Sequence, residues 1–254
     1  GTILLLPSGS ASGILEGTGH IAHVEVKIMI ALYFVIAVVV SYLIGAMPVG
    51  AIVAATRKVD IAQHGSGKMG TTNVLRTVGR RAAVLVLAGD VLKGVVAVLL
   101  VRLLAPLFIS GDGRFDLLGF SVSILTIASL LATAGAVLGH VMSLYLRLVY
   151  GKWHGGRGVA TAIGALLVVN PVVVLVALGV GVPVILISRY VSLGSILGAL
   201  AGSLAVILLV ALGQMDVLSL LFVVVGAFIV IAHRDNIERL LNGTERKLGE
   251  RAKS

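Results

Sequence analysis

Three long apolar stretches, Ile28–Met47, Ala82–Leu100 and Gly119–Leu138, restrict this chain more than any other feature. Each approaches or reaches the ~20 residues needed to cross the hydrocarbon core of a bilayer. Composition points the same way, because only 12% of residues are charged against roughly 25% in a soluble domain. With 58% of its residues hydrophobic, a water-soluble protein of this length could not cover its surface. The sequence reads as a membrane protein.

Setting the apolar runs against chain breakers predicts seven transmembrane helices, near 28–47, 82–106, 119–146, 157–169, 171–189, 191–211 and 217–233. The fold class expected is all-α and polytopic, with at least one short helix. Asn170-Pro171 separates the fourth helix from the fifth, since the residue before proline is pushed out of helical geometry. Merging these two helices would put Arg189 on the opposite side from the other basic loops, so seven is preferred. Sixteen of the 20 Lys and Arg lie in four segments: Pro48–Arg81, Ser143–Gly158, the link at Arg189, and the chain after His233. The intervening loops, Ser110–Asp116 and Gly213–Asp216, hold three Asp and one Arg. This is the positive-inside pattern. It places the basic loops and the C-terminal tail in the cytoplasm, and the N-terminus outside.

The net charge of +9 therefore marks a membrane face, and with 5% aromatic residues nothing resembles a nucleic-acid surface. No cysteine is present, which excludes disulfides and thiol chemistry. Residues 1–27 form a separate segment, extracytoplasmic or vector-derived, that lacks the charged start of a signal peptide. Residues 28–254 read as one integral membrane domain. Arg234–Leu241 continues past the last span as an amphipathic end, stopped by Asn242-Gly243.

Three polar segments carry the chemistry. Gln63–Arg76 combines glycines with Ser66, Lys68, Thr71, Thr72, Asn73 and Arg76. Glycines let backbone N–H groups approach an anion, and arginine gives a forked contact to phosphate. The same residues also describe a flexible loop before a helix capped by Thr71 or Thr72. Trp153–Thr161 again sets glycines (Gly155, Gly156, Gly158) and Arg157 ahead of a helix start, where anions are attracted. It is not a nucleotide-binding P-loop, because Arg157-Gly158 stands where Lys-Ser/Thr is required. The third segment, His233–Glu245, sets His233 and Asn236 three apart on one helical face. Inside the membrane, Asp90 and Lys93 are also three apart. Buried charges in lipid tend to pair, and this pair reads equally as a structural brace or as the floor of a site. Arg102, near the outer end, is expected to snorkel. No His/Glu spacing suggests a metal.

Taken together, these residues resemble the PlsY family, the acyl-phosphate-dependent glycerol-3-phosphate acyltransferases of bacterial inner membranes. Three motifs match in order: Gly65-Ser-Gly…Gly70-Thr-Thr-Asn73…Arg76; Gly139-His140…Gly155-Gly-Arg-Gly-Val-Ala-Thr161; and His233-Arg-Asp-Asn-Ile…Gly243-Thr-Glu245. The links Asp90–Gly94 and Arg189–Ser195 also look like family segments, and the likeness runs from about Val39 to Glu245. The resemblance implies a seven-helix multi-pass fold with its site on the cytoplasmic side, in the phospholipid-synthesis role of first acylation. It implies transfer of a fatty acyl group from acyl phosphate to the 1-hydroxyl of glycerol 3-phosphate, giving lysophosphatidic acid and phosphate. It implies no cofactor, no metal, and no need for acyl-CoA or acyl carrier protein.

By position, Ser66, Arg76, His233 and Asn236 correspond to family phosphate-binding residues, with Ser66, His233 and Asn236 carried over as catalytic. Gly155–Gly158 corresponds to a second phosphate element in which Arg157 replaces the usual Lys. Ser195 aligns with a substrate contact, and Thr72, Asn73 and Lys93 join the expected substrate-binding set. The chain departs from the family at Lys68, where Asn is usual. It also carries extra residues between His140 and Gly155, and Met142-Ser-Leu-Tyr145 in place of an aromatic-rich pattern. An acyl phosphate is already activated, so the expected mechanism is direct transfer between two anions held together. A substrate phosphate would then act as base, with His233 orienting. Rival readings are a transporter for a phosphorylated metabolite, which would show internal repeats, and a membrane scaffold. A CoA-dependent acyltransferase is excluded by the lack of its His-x4-Asp signature.

Overall fold

The computed structural model describes residues 10–109, 113–117, 119–151, 153 and 155–250, with side-chain surroundings from residue 24 onward and Leu117 excepted. Residues 1–9 of the N-terminal segment, part of the acidic loop at 110–112, and Lys152 and His154 of the basic segment Ser143–Gly158 lie outside them.

The chain is helical almost throughout. Helix α1 (Ser10–Ala46) begins well before Ile28, so part of the N-terminal segment belongs to the first helix. It stops at Pro48, which has no N–H to continue the ladder, and α2 (Val49–Ala55) follows. Helix α3 (Thr71–Thr77) leads into α4 (Arg80–Leu104). Next come α5 (Ile124–Val141), α6 (Leu144–Tyr150), α7 (Val159–Val169), α8 (Pro171–Ser188) and α9 (Val191–Ala211), then α10 (Phe222–Ala232) and α11 (Arg234–Leu241).

Among the described residues, five stretches are long and apolar enough to cross a membrane: Val24–Ala55, Arg80–Leu107, Ile124–Tyr150, Pro171–Ser188 and Val191–Ala211. A sixth is reached only by counting Val217–Ala232 together with α11, from which it is bent by 54°, as one broken span. Helix α7 has 11 residues, only about 16 Å at 1.5 Å per residue, too short to span alone.

The expected helix 119–146 is three elements. Its start is a strand: β1 (Arg114–Leu117) pairs antiparallel with β2 (Phe120–Ser123) across a turn at Gly119, whose φ is +83°. Phe-Ser-Val-Ser alternates as a strand does, while its apolar content alone reads as helix. Ser123 then caps α5 by accepting from the Leu125 N–H at 3.2 Å, so the helix begins at Ile124. It ends at Val141, and Ser143 starts α6 by accepting from the Leu146 N–H at 3.3 Å. At Asn170 the expected break is present, and its side chain accepts from the Val172 N–H at 3.0 Å.

Small residues let helices touch backbone to backbone. A Cβ at Gly94 would collide with the Thr161 carbonyl, and one at Gly164 with the Val91 carbonyl, which is how α4 and α7 lie against each other. Tyr33 of α1 is fully buried and donates to the Val101 carbonyl at 2.8 Å. Arg102 does not snorkel. Its guanidinium turns inward to Ser129 Oγ (3.1 Å) and the Val168 carbonyl (2.7 Å), because the first turns of α5 and the end of α7 lie beside it with acceptors to offer.

Candidate functional site

The four basic segments, far apart in sequence, gather at one end of the bundle around a cavity of about 640 Å³. The first segment forms its near wall. Asp60 accepts from the Ala62 N–H at 3.1 Å to hold a short 3-10 turn, and Gly65 and Gly67 take left-handed φ values of +65° and +66°. Asn73 then pins the loop onto α3. Its Oδ1 accepts from the Ser66 N–H, and its Nδ2 donates to the His64 and Lys68 carbonyls, each at 3.0 Å. The Asn73 amide, expected among the phosphate contacts, is thus engaged inside the loop, and it fixes where Ser66 stands. The cap of α3 is Gly70, with no side-chain bond, rather than Thr71 or Thr72. Ser66, Thr72 and Arg76 line the cavity.

The second segment supplies the floor. Gly156 donates its N–H to the His140 carbonyl at 3.2 Å, and a Cβ there would strike the His140 ring. Gly158, at φ +84°, caps α7 and turns that helix's N-terminus toward the cavity. Arg157 lies between them. Its Nε is buried and has no hydrogen-bond partner among the described residues. Burial, then the nearby Arg239 guanidinium, pull its pKa below the ordinary arginine value, so the site gains by receiving an anion. Gly155, expected in the same role, lies behind the wall, packed on the His140 and Val141 carbonyls.

The third segment closes the remaining side. His233 is buried at the bend between α10 and α11, and its Nδ1 lies 2.8 Å from the Ile229 carbonyl. A carbonyl can only accept, so Nδ1 carries the proton and Nε2 is left for the cavity. Asn236 is equally buried. Its Nδ2 donates to Glu245 at 2.7 Å, while its Oδ1 has no partner among the described residues. Glu245 holds the tail over the site, accepting also from Ser192 Oγ (2.8 Å) and Arg239 Nε (2.7 Å). Burial would raise its pKa, but these three donors outweigh burial and lower it. The tail is fastened twice more. The Arg246 carbonyl accepts from Arg76 at 3.0 Å, and Leu248 exchanges backbone and side-chain bonds with Arg189. Lys68 reaches Asp235 at 3.0 Å across the mouth.

Asp90 and Lys93 do pair, at 2.9 Å. Asp90 lines the cavity with His140, whose Nδ1 is 3.5 Å away, an electrostatic contact rather than a hydrogen bond. Lys93 does not line it; its ammonium turns back to Asp90 and to the Met47 carbonyl at 3.2 Å. Of the residues anticipated from sequence, Ser66, Thr72, Asn73, Arg76, Gly156, Arg157, Gly158, Ser195, His233 and Asn236 share one cavity, while Gly155 and Lys93 stand behind it. Sequence reasoning gave no role to Glu245, Ser192 or Arg239. Glu245 closes the third motif, and a lone acidic residue among Arg239, Arg246 and Lys247 was the available signal.

Such an arrangement belongs to a membrane-embedded enzyme that handles anionic substrates at one end of its helices. The chain belongs to the glycerol-3-phosphate acyltransferase family, whose model matches residues 35–243. It is 41% identical over 219 residues to a glycerol-3-phosphate acyltransferase of Clostridioides difficile, covering 86% of this chain and 97% of that one. It is 39% identical to one of Crocosphaera subtropica, with 84% and 93% covered. Among solved structures it is similar to PlsY, an integral membrane glycerol 3-phosphate acyltransferase, in its glycerol 3-phosphate form. There the TM-score is 0.67 at 34% identity, covering 85% of this chain and 96% of that chain. The lysophosphatidic acid form gives 0.65.

Proposed function

We propose that this acyltransferase takes its acyl group from a fatty acyl phosphate and delivers it to the 1-hydroxyl of sn-glycerol 3-phosphate. The products would be lysophosphatidic acid and inorganic phosphate. The observation that supports this reading best is the pair of guanidiniums, Arg76 and Arg157, which line one cavity from two separate segments, with no carboxylate bonded to either among the described residues. Two cations facing one space suit a reaction that must hold two phosphates close together, and charge-assisted bonds to each offset their repulsion.

In the proposed reaction the glycerol 1-hydroxyl oxygen attacks the acyl carbonyl carbon. The new ester C–O bond forms as the bond between that carbon and the phosphate oxygen breaks. The electron pair leaves with phosphate, and the hydroxyl proton ends on a substrate phosphate oxygen. Arg157 and the N-terminus of α7 bind one phosphate; Arg76, Ser66 and Thr72 bind the other. His233 Nε2 and Asn236 Oδ1 are acceptors facing the cavity, suited to orient substrate hydroxyls, and Ser195 contributes a hydroxyl at the side. Asn73, Gly155 and Lys93 act by holding the walls. Neither metal nor coenzyme takes part in this reading.

The same proposal sets residues 28–254 as one domain of seven membrane helices in a bacterial inner membrane, counting the bent last helix and the short α7, which enters the membrane without crossing it alone. The site then faces the cytoplasm, as the basic loops indicate. Purified protein given glycerol 3-phosphate with acyl phosphate, acyl-CoA or acyl carrier protein in parallel tests the donor, and only acyl phosphate should yield lysophosphatidic acid. Turnover with acyl-CoA alone would reject it. His233→Gln tests the proton's destination. The acidic limb of the pH–rate profile should survive, because it belongs to the substrate phosphate monoester near 6. Its disappearance would make His233 the base.

A further inference from the structure

We infer that His140 is a positioning residue of the anion site: braced from behind by Asp90 and Lys93, it sets where the Gly155-Gly156-Arg157 turn lies, and so where the Arg157 guanidinium stands. This inference rests on the reading of Arg157 as a phosphate ligand. Residues 155–157 are irregular backbone ahead of α7. They lie on the last turn of α5, where Val137, His140 and Val141 are three and four apart and share one face. A Cβ at Gly155 would strike the His140 and Val141 carbonyls, and one at Gly158 would crowd the Val137 side chain. The last four carbonyls of a helix lack intrahelical partners; that of His140 accepts from the Gly156 N–H at 3.2 Å. At Gly156 the three atoms nearest to an added Cβ all belong to the His140 ring. Gly156 does not have a left-handed φ, so a side chain there is opposed by the ring and not by its own backbone.

An imidazole is a costly choice for that place. Burying a polar group without a hydrogen bond costs free energy. His140 is only 7% exposed, and its Nδ1 has no hydrogen-bond partner among the described residues. An aliphatic side chain would pack on the turn without that cost. What the ring adds is a hold on α4. Its Nδ1 lies 3.5 Å from Asp90 Oδ1, the same oxygen that Lys93 Nζ meets at 2.9 Å. Lys93 also donates to the Met47 carbonyl at 3.2 Å, just past the end of α1. A line of contacts thus runs from the end of α1 through Lys93, Asp90 and His140 to Gly156, the neighbour of Arg157. Lys93 also balances the charge of Asp90, which lines the cavity and would otherwise repel an anion there.

The test compares Gly156→Ala, His140→Ala and the double variant as purified, folded proteins. Steady-state kinetics on both substrates give KM and kcat separately. Thermal shift with glycerol 3-phosphate and with inorganic phosphate reads binding without the acyl donor. Misplacing a group by about 1 Å can cost about a hundredfold, so each single variant should raise KM for a phosphate substrate by at least about tenfold. The kcat should change by no more than about twofold, as when binding alone is lost. The double variant should bind better than Gly156→Ala alone, because removing the ring gives the new methyl its space, whereas two unconnected defects would add. Asp90→Asn with Lys93→Gln removes both charges together and leaves neither buried alone; it should raise the same KM by a smaller factor. His140→Asn, which also makes room for the methyl, serves if His140→Ala does not fold. A double variant no better than Gly156→Ala would overturn the inference. So would a fall in kcat at constant KM in the His140 variant, which would make His140 part of the chemistry. Arg157→Gln binding both phosphates as the natural protein does would instead sink the anion reading on which the inference rests.

Discussion

The two ends of the bundle both hold charge, but they treat it differently. At the end away from the cavity, Asp216 is fully engaged: Arg114 reaches one oxygen at 3.0 Å, and Thr126 Oγ and the Ser123 N–H reach the other at 2.6 and 3.3 Å. That cluster ties the hairpin and α5 to the start of the last span, and both oxygens of its carboxylate are bonded. At the cavity end the carboxylate of Glu245 is engaged just as fully, yet Arg157 Nε and Asn236 Oδ1 are buried without partners among the described residues. Burying an unsatisfied polar group costs free energy. A network left incomplete beside a complete one is what the proposed anion site requires.

The comparison breaks most directly at the cations. Arg157→Gln should cut kcat/KM by at least about tenfold, and up to about a hundredfold, from the 1.5–3 kcal/mol that a charged hydrogen bond supplies. Arg157→Lys should keep much of the rate, since a cation remains. Arg76→Ala should lose a similar amount while the protein still inserts and folds. Equal kinetics for Arg157, Lys and Gln forms would remove the second loop from the anion site. Asp216→Asn should do the reverse. Leaving Arg114, Thr126 and the Ser123 N–H poorly matched should cost about 1–3 kcal/mol of stability, seen as a lower Tm in detergent, with kcat/KM per folded molecule unchanged. A catalytic defect in Asp216→Asn without loss of Tm would deny that the ends have separate duties.

Acid sharpens the contrast further. Glu245 and Asp216 both have lowered pKa values in the fold. In each, burial works against the shift and hydrogen bonds from neighbouring donors outweigh it. A depressed carboxylate contributes stability above its unfolded value, near 4.5 for Glu245, and that contribution is lost as pH falls through the folded value. Below the ordinary carboxylate range the tail at 244–250 should therefore loosen, raising its amide exchange. Glu245→Gln should bring that loosening to neutral pH and flatten its pH dependence. A tail equally protected in both proteins at every pH would take Glu245 out of the closure.

What could be read from sequence followed the range of the interactions. The long spans were legible because bilayer thickness fixes their length, and α8 and α9 end within a residue of expectation, whereas the expected fourth span is the short α7. The β-hairpin was hidden, because Phe120–Ser123 joins an apolar run that continues into α5 and composition alone does not separate strand from helix. Arg102 was misjudged for another reason: its acceptors, Ser129 and the Val168 carbonyl, come from helices 27 and 66 residues away. The motifs named most of the cavity's residues but not their division of labour. Asn73 and Arg76 lie one helical turn apart in α3, yet Asn73 turns into the loop while Arg76 reaches the tail 170 residues on. Only tertiary packing separates a ligand from the residue that positions it.

Lys68 gives the smallest and most diagnostic effect, because it stands at the cavity end but is bonded as the far end is bonded. Its ammonium lies 3.0 Å from Asp235, with the two side chains 32% and 47% exposed. An ion pair so open to water contributes about 1 kcal/mol or less, so Lys68→Asn should change kcat/KM by no more than about fivefold. Lys68 also pulls the Asp235 pKa down, an effect that disappears with the variant. In a double-mutant cycle with Asp235→Asn the coupling should be small and should fade as salt rises, since mobile ions weaken a solvent-exposed pair where they would leave a buried one. A loss beyond about tenfold, or a coupling indifferent to salt, would move Lys68 from the rim to the substrate, and make the first loop a two-cation phosphate site with Arg76.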